Sequence, residues 1–63
     1  MGNITINIYK DNVLKKTFLK QKNDFQAFKY MLDIQGSSIS HAIKYEGWKV
    51  ELINDKTNEV EYY

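Results

Sequence analysis

The sequence predicts one α+β domain with its elements in the order β-β-α-α-β-β, two antiparallel hairpins forming a small sheet with a helical pair on one face. Three observations carry this. Apolar and polar residues alternate with period two at both ends of the chain. Apolar residues recur at helical spacing in the middle. Turn-forming residues separate the two patterns.

At the N-terminal end Ile4, Ile6 and Ile8 alternate with Thr5, Asn7 and Tyr9, as in a half-buried strand. Lys10-Asp11-Asn12 reads as a turn, since Asn tolerates left-handed backbone better than most residues. A three-residue loop with a bulge at Asn12 sets Ile8 opposite Leu14 and Ile4 opposite Phe18, leaving Lys16 as the one misfit on the apolar face. A two-residue loop sends Leu14 and Phe18 to the other face, so burial favours the longer loop. This hairpin fills residues 1–22.

Residues 23–47 form the helical pair. Asn23 is the expected N-cap, with Asp24 in the first turn and Gln26 three residues after the cap, as in a capping box. Phe25, Phe28, Met31 and Leu32 follow helical spacing, and Gly36 breaks the run. Ser37 or Ser38 caps a second short helix with Ile39, Ala42 and Ile43 on one face, and Gly47 stops it. Residues 48–63 form the second hairpin. Trp48, Val50 and Leu52 alternate with Lys49 and Glu51, Asp55-Lys56-Thr57-Asn58 is a turn, and Val60 and Tyr62 alternate with Glu59 and Glu61. The expected core is Ile4, Ile6, Ile8, Leu14, Phe18, Phe25, Phe28, Leu32, Ile39, Ile43, Trp48, Val50, Leu52 and Val60.

At 63 residues such a domain buries only about 60% of its unfolded surface, so its core is small. Hydrophobic residues at 43% and a net charge of +1 argue against disorder. No cysteine means no disulfide and no thiolate metal site, and the single histidine, His41, excludes a multi-histidine site. No basic-flanked apolar run marks a targeting signal and no segment approaches a membrane span, so a cytoplasmic protein is expected. All nine cations are lysine, so no guanidinium fork is present for bidentate reading of guanine or phosphate. In residues 1–22 five lysines against Asp11 give +4; in residues 23–63 four lysines against seven carboxylates give −3. Asymmetry of this kind marks either a partner surface or solubilising outer faces.

Catalysis is not expected. Ser40 and His41 are neighbours and point about 100° apart on a helix, which is poor geometry for a nucleophile–base pair. The chain has neither paired carboxylates in an apolar run nor a glycine-rich phosphate loop, and it implies no cofactor.

Residues 25–47 carry a resemblance. Ser37-Ser38-Ile39-Ser40-His41-Ala42-Ile43-Lys44, followed by Gly47 and a strand, resembles the second-helix region of phage Cro-type repressors and of helix-turn-helix modules in phage homing endonucleases. There a Ser-x-Ile-x-x-Ala-Ile pattern packs the recognition helix through its Ile and Ala-Ile positions, leaving the residues between facing the major groove. Leu32 and Ile34 fit the apolar positions flanking the turn. Lys29 stands where the family prefers a small residue, and Asp33 where it prefers glycine. The resemblance implies a small non-catalytic DNA-binding protein of phage or mobile-element type, contacting double-stranded DNA through Gln35, Ser37, Ser38, Ser40, His41 and Lys44. Gln35 would read adenine, and Ser37 and Ser38 would hold a phosphate at the helix N-terminus. Few cations stand near that helix, so a homodimer on two half-sites would strengthen binding.

Two other readings remain open. The helical pair is equally consistent with a simple cover for the sheet. Alternatively, the chain is a phage accessory protein that binds and inhibits a host protein, in the manner of anti-CRISPR inhibitors. It would do so through its acidic C-terminal hairpin or its strand edges. The tyrosines Tyr9, Tyr30, Tyr45, Tyr62 and Tyr63 are candidates for stacking on bases or for filling an interface.

Overall fold

The computed structural model describes residues 2–63, apart from the side chain of Gln35. The expected order of elements is observed. Strands β1 (Ile4–Lys10) and β2 (Val13–Gln21) form the first hairpin. Helix α1 (Phe25–Tyr30) runs into one π-helical stretch (Met31–Gln35), and helix α2 (Ile39–Tyr45) follows. Strands β3 (Trp48–Asn54) and β4 (Val60–Tyr62) close the chain. The four strands make one antiparallel sheet in the order β2-β1-β3-β4, so the two hairpins join through β1 and β3. Among the described residues no helix is long and apolar enough to cross a membrane.

The first hairpin departs from the expected register. Its loop has two residues, not three: Lys10 pairs with Val13, and Asp11 and Asn12 between them have φ of 49° and 67°. Positive φ at both central positions is the type I′ turn, whose twist matches that of the flanking strands. Burial is then satisfied by another device. Tyr9 pairs with Leu14 but Ile8 pairs with Lys16, so Lys15 is an extra residue bulged out of β2. That one residue brings Phe18 opposite Ile6, back onto the isoleucine face, and leaves Leu14 exposed on the other side. Lys16 remains on the isoleucine face at the sheet edge, with its Nζ 5.5 Å from the centre of the Phe18 ring. A second irregularity, at Leu19-Lys20 opposite Thr5, puts Lys20 at φ 55°.

The buried residues are Ile6, Ile8, Ala27, Met31, Ile39, Ala42, Trp48 and Val50, with Ile4, Phe18, Tyr30, Ile43 and Leu52 packed against them. Tyr30 bridges Phe18 and Trp48 through two edge-on ring contacts, with centroids 6.3 and 6.2 Å apart. Five expected core residues are exposed instead: Leu14, Phe25, Phe28, Leu32 and Val60. Leu14 is displaced by the bulge and Val60 lies on the short edge strand β4, on the face that no helix covers. The other three follow from how α1 is rotated. It buries Ala27 and Met31 and packs half-buried Tyr30 beside them, because the small alanine lets the helix backbone approach the sheet and the flexible methionine fills the space beneath it. The stripe Phe25–Phe28–Leu32 is turned outward.

The helix ends are closed locally. Asp24, not Asn23, occupies the N-cap of α1, while Asn23 Oδ1 accepts the N–H of Phe25 at 2.9 Å one residue upstream. Gly36, at φ 71°, ends the π-helical stretch. Its N–H reaches Leu32 O at 3.1 Å, and the Ser37 N–H reaches Met31 O at 3.3 Å. Ser38 caps α2. Gly47 follows α2 at φ 77°, where an added Cβ would stand 2.5 Å from Asp11 Oδ1. Its carbonyl accepts the N–H of Asp11 at 3.0 Å, tying the first hairpin's turn to the end of α2.

Two substitutions test this packing. Met31→Ala should cost about 2–5 kcal/mol, the usual range for truncating a buried side chain. Gly47→Ala should cost about 1–2 kcal/mol from left-handed backbone, the exposed Asp11 carboxylate being free to swing aside. Urea denaturation followed by the fluorescence of Trp48 reads both, and a midpoint unchanged by Met31→Ala would contradict the observed helix rotation.

Candidate functional site

The DNA-contact residues expected from the sequence surround α2. Ile39 and Ala42 are buried beneath it and Ile43 is half-buried, while Ser40, His41 and Lys44 are exposed. The side chain of Gln35 lies outside the described residues. Ser38 Oγ accepts the N–H of His41 at 3.3 Å, so that hydroxyl oxygen serves the helix itself. Ser37 is half-buried. His41 Nδ1 lies 3.1 Å from Glu46 Oε2. The Ser37 hydroxyl, and after it His41, hold the Glu46 carboxyl below the usual carboxylate range. Lys44 sits with its Nζ 5.4 Å from the centre of the Tyr45 ring. A phosphate approaching His41 therefore meets a carboxylate, and Lys44 is the only lysine on α2. Lys29, which stands where the resembled family prefers a small residue, points to the β2 side of α1, beside Lys16, Phe18 and Asp33.

The larger feature was not anticipated. Phe25, Phe28 and Leu32 are 62%, 43% and 54% exposed, and their spacing places them on one stripe of α1 and the π-helical stretch. Beside the stripe an open groove of about 470 Å³ is lined by Phe28, Ile39, Ser40, Ile43 and Tyr63. Single-turn π-helical segments concentrate at functional sites, and this one shapes the stripe. Tyr63 closes the groove. Its hydroxyl donates to the Asp24 carboxylate, and that bond, with partial burial and the charges of Asp24 and Glu61, pushes the phenol up to about 12.

Charge of opposite sign flanks this apolar surface. On the β2 side stand Lys16 and Lys29, with Asp33 among them. On the β4 side Glu59 and Glu61 lie around Ile4, Leu52 and Asn54, with Asp24 close by at Tyr63. The C-terminal hairpin therefore does not present one acidic surface. Strand alternation sends Glu61, opposite Leu52, to the helical face and Glu51, opposite Tyr62, to the other.

On that other face the polar groups satisfy one another. Asn7 Nδ2 donates to Glu51 Oε1 at 2.9 Å and the Tyr62 hydroxyl to Oε2 at 2.8 Å, while the Thr17 hydroxyl donates to Asn7 Oδ1 at 2.8 Å. Lys49 Nζ lies between two rings, 5.3 Å from that of Tyr9 and 5.1 Å from that of Tyr62. Asn7 and then Tyr62 hold the Glu51 carboxyl below its ordinary value of 4.5. A carboxylate with a depressed folded-state pKa stabilises the fold above its unfolded value, and that stabilisation is lost as pH falls through the folded one. The urea midpoint should thus fall as pH drops below 4.5, and Glu51→Gln should flatten the fall. Tyr63 has the opposite sign: a raised phenol stabilises below its ordinary value of 10.0 and stops doing so as pH rises through about 12. In an ultraviolet titration of the tyrosines, Tyr63→Phe should remove the most alkaline step.

No protein-family model, no curated protein and no solved structure matches this chain, and its function is to be read from these side chains.

Proposed function

We propose that this chain is a non-catalytic protein-binding domain whose contact surface is the apolar stripe of α1 together with the groove beside α2. The observation that carries this reading is the outward position of Phe25, Phe28 and Leu32. Full burial of such a side chain is worth about 1.5–3 kcal/mol, and the part of each that the monomer leaves exposed, roughly half, is what a partner recovers. An apolar, aromatic-rich centre with a charged rim is the anatomy of a protein interface. The partner is a protein offering its own apolar ridge flanked by charge of both signs. The sheet edges are less suited to such contact. Strand β2 carries Lys15, Lys16 and Lys20 and two irregularities, and β4 has three residues, features that discourage pairing with a further strand.

The test is Phe28→Ser combined with Leu32→Ser. If these side chains form a contact surface, the pair should shift the stability of dilute protein by less than about 1 kcal/mol. If they were core, the loss should exceed about 4 kcal/mol, and a loss of that size overturns the reading.

One observation favours a second reading, DNA contact through α2: Ser40, His41 and Lys44 are exposed while Ile39 and Ala42 face the core. On that reading His41→Ala with Lys44→Ala leaves the fold intact, weakens binding to duplex DNA and flattens its salt dependence by about one unit. Fluorescence anisotropy at two salt concentrations measures this. Absence of salt-sensitive binding at ~0.1 mM protein excludes it.

A further inference from the structure

We infer that the occupant of the apolar face is a second copy of this chain, related to the first by a two-fold axis running parallel to the β-strands. The inference rests on the contact-surface reading above and names its partner. Three features lead to it.

The first is that the face is complementary to itself. From the β2 side to the β4 side it carries Lys16 and Lys29, which outnumber the one carboxylate among them, Asp33, then the stripe of Phe25, Phe28 and Leu32, then the groove, then Glu61 and Glu59. A two-fold axis that brings this face against its own copy must lie in the interface plane. If it runs across the strands, each edge meets its own kind, lysine over lysine and glutamate over glutamate. If it runs along the strands, the lysine side of one copy lies over the glutamate side of the other, and the apolar stripes meet in the middle. Like charges across an interface cost free energy and opposite charges steer it, so the charge pattern selects the second axis.

The second is size. A standard interface buries about 800 Å² on each partner. That is roughly a fifth of the 4418 Å² accessible surface of this chain, within reach of one broad face. The third is need. Among the described residues the core has eight buried side chains, the chain has no cysteine, and domains of this size commonly gain stability by association.

The test combines sedimentation equilibrium with cross-linking. Wild-type protein should dimerise reversibly, and less tightly as salt rises, because the rim pairs are screened. Phe28→Glu with Leu32→Glu should be monomeric. Lys29→Glu alone and Glu61→Lys alone should each weaken the dimer by about tenfold at low salt, since symmetry makes each change count twice. The two together should restore it, which a merely misfolded variant would not do. The chain has no native cysteine, so single cysteines report without background. In an equal mixture of Lys29→Cys and Glu61→Cys chains, a short bis-maleimide should join unlike chains severalfold more than like ones. Preferential Lys29→Cys self-coupling, or failure of the double charge reversal to restore association, overturns the axis. A chain that stays monomeric at every concentration while Phe28→Ser with Leu32→Ser keeps its denaturation midpoint overturns the second copy and leaves the face to another protein. A monomer that the same pair unfolds overturns the contact surface itself.

Discussion

Ile6 and Ile8 have no accessible surface, and they lie on the strand that joins the two hairpins. Ile6 stands between Phe18 and Leu52, and Ile8 between Lys16 and Val50. Each is therefore a cross-strand neighbour to both hairpins while also forming the floor on which the helical segments sit. Because β1 is paired on both sides, its row can neither slip nor turn over without exposing both isoleucines together. The helices are then fitted to a narrow floor. On a small sheet whose outer strand β4 has only three residues, Ala27 with Met31 form the one close stripe of α1. Whatever apolar surface remains on that helix stays outside.

How much of this was legible in the sequence depends on the period involved. In a strand the period of two leaves no choice of face once the apolar residues are seen, and Ile6, Ile8, Trp48 and Val50 are buried as that period requires. Turn and cap chemistry was legible where the residue has one use, as at Gly36 and Gly47, while two adjacent serines left the cap of α2 at Ser37 or Ser38 until the backbone chose Ser38. Helix α1 was not legible because it carries two apolar stripes. Phe25, Phe28 and Leu32 form one; Ala27, Tyr30 and Met31 form the other. Hydrophobicity favours the first, but distance to the sheet decides for the second, and distance is a tertiary property. The N-terminal hairpin failed for a related reason. The rule that buries Phe18 was right, but the sequence does not state whether the extra residue sits in the turn or in the strand.

The candidate surface was legible only in its α2 part. Ser40, His41 and Lys44 are exposed as their spacing required, yet the neighbours that change their chemistry come from elsewhere. Glu46 reaches back to His41 from beyond the helix end, and Tyr63 arrives from just past the last strand to meet Asp24 and line the groove together with Ser40. Topology also converts a property of the linear chain into one of the solid body. The basic first third contributes β2 and the acidic remainder contributes β4, and the order β2-β1-β3-β4 sends those two strands to opposite edges. A difference of charge along the sequence becomes a difference of charge across the sheet.

The bulge at Lys15 bears on how such a chain can vary in length. In a hairpin without a bulge, adding or removing one turn residue reverses the facing of everything beyond it, so the turn and the strand are bound to change together. Here the compensating residue sits in the strand, four residues from the start of the turn, and the turn and the body of β2 are set separately. A one-residue insertion at Asp11-Asn12 accompanied by loss of Lys15 leaves Phe18 on the same face. Chains that share this fold can therefore differ in both places with gaps that cancel, and their alignment through the hairpin is better made on the isoleucine face than on the turn.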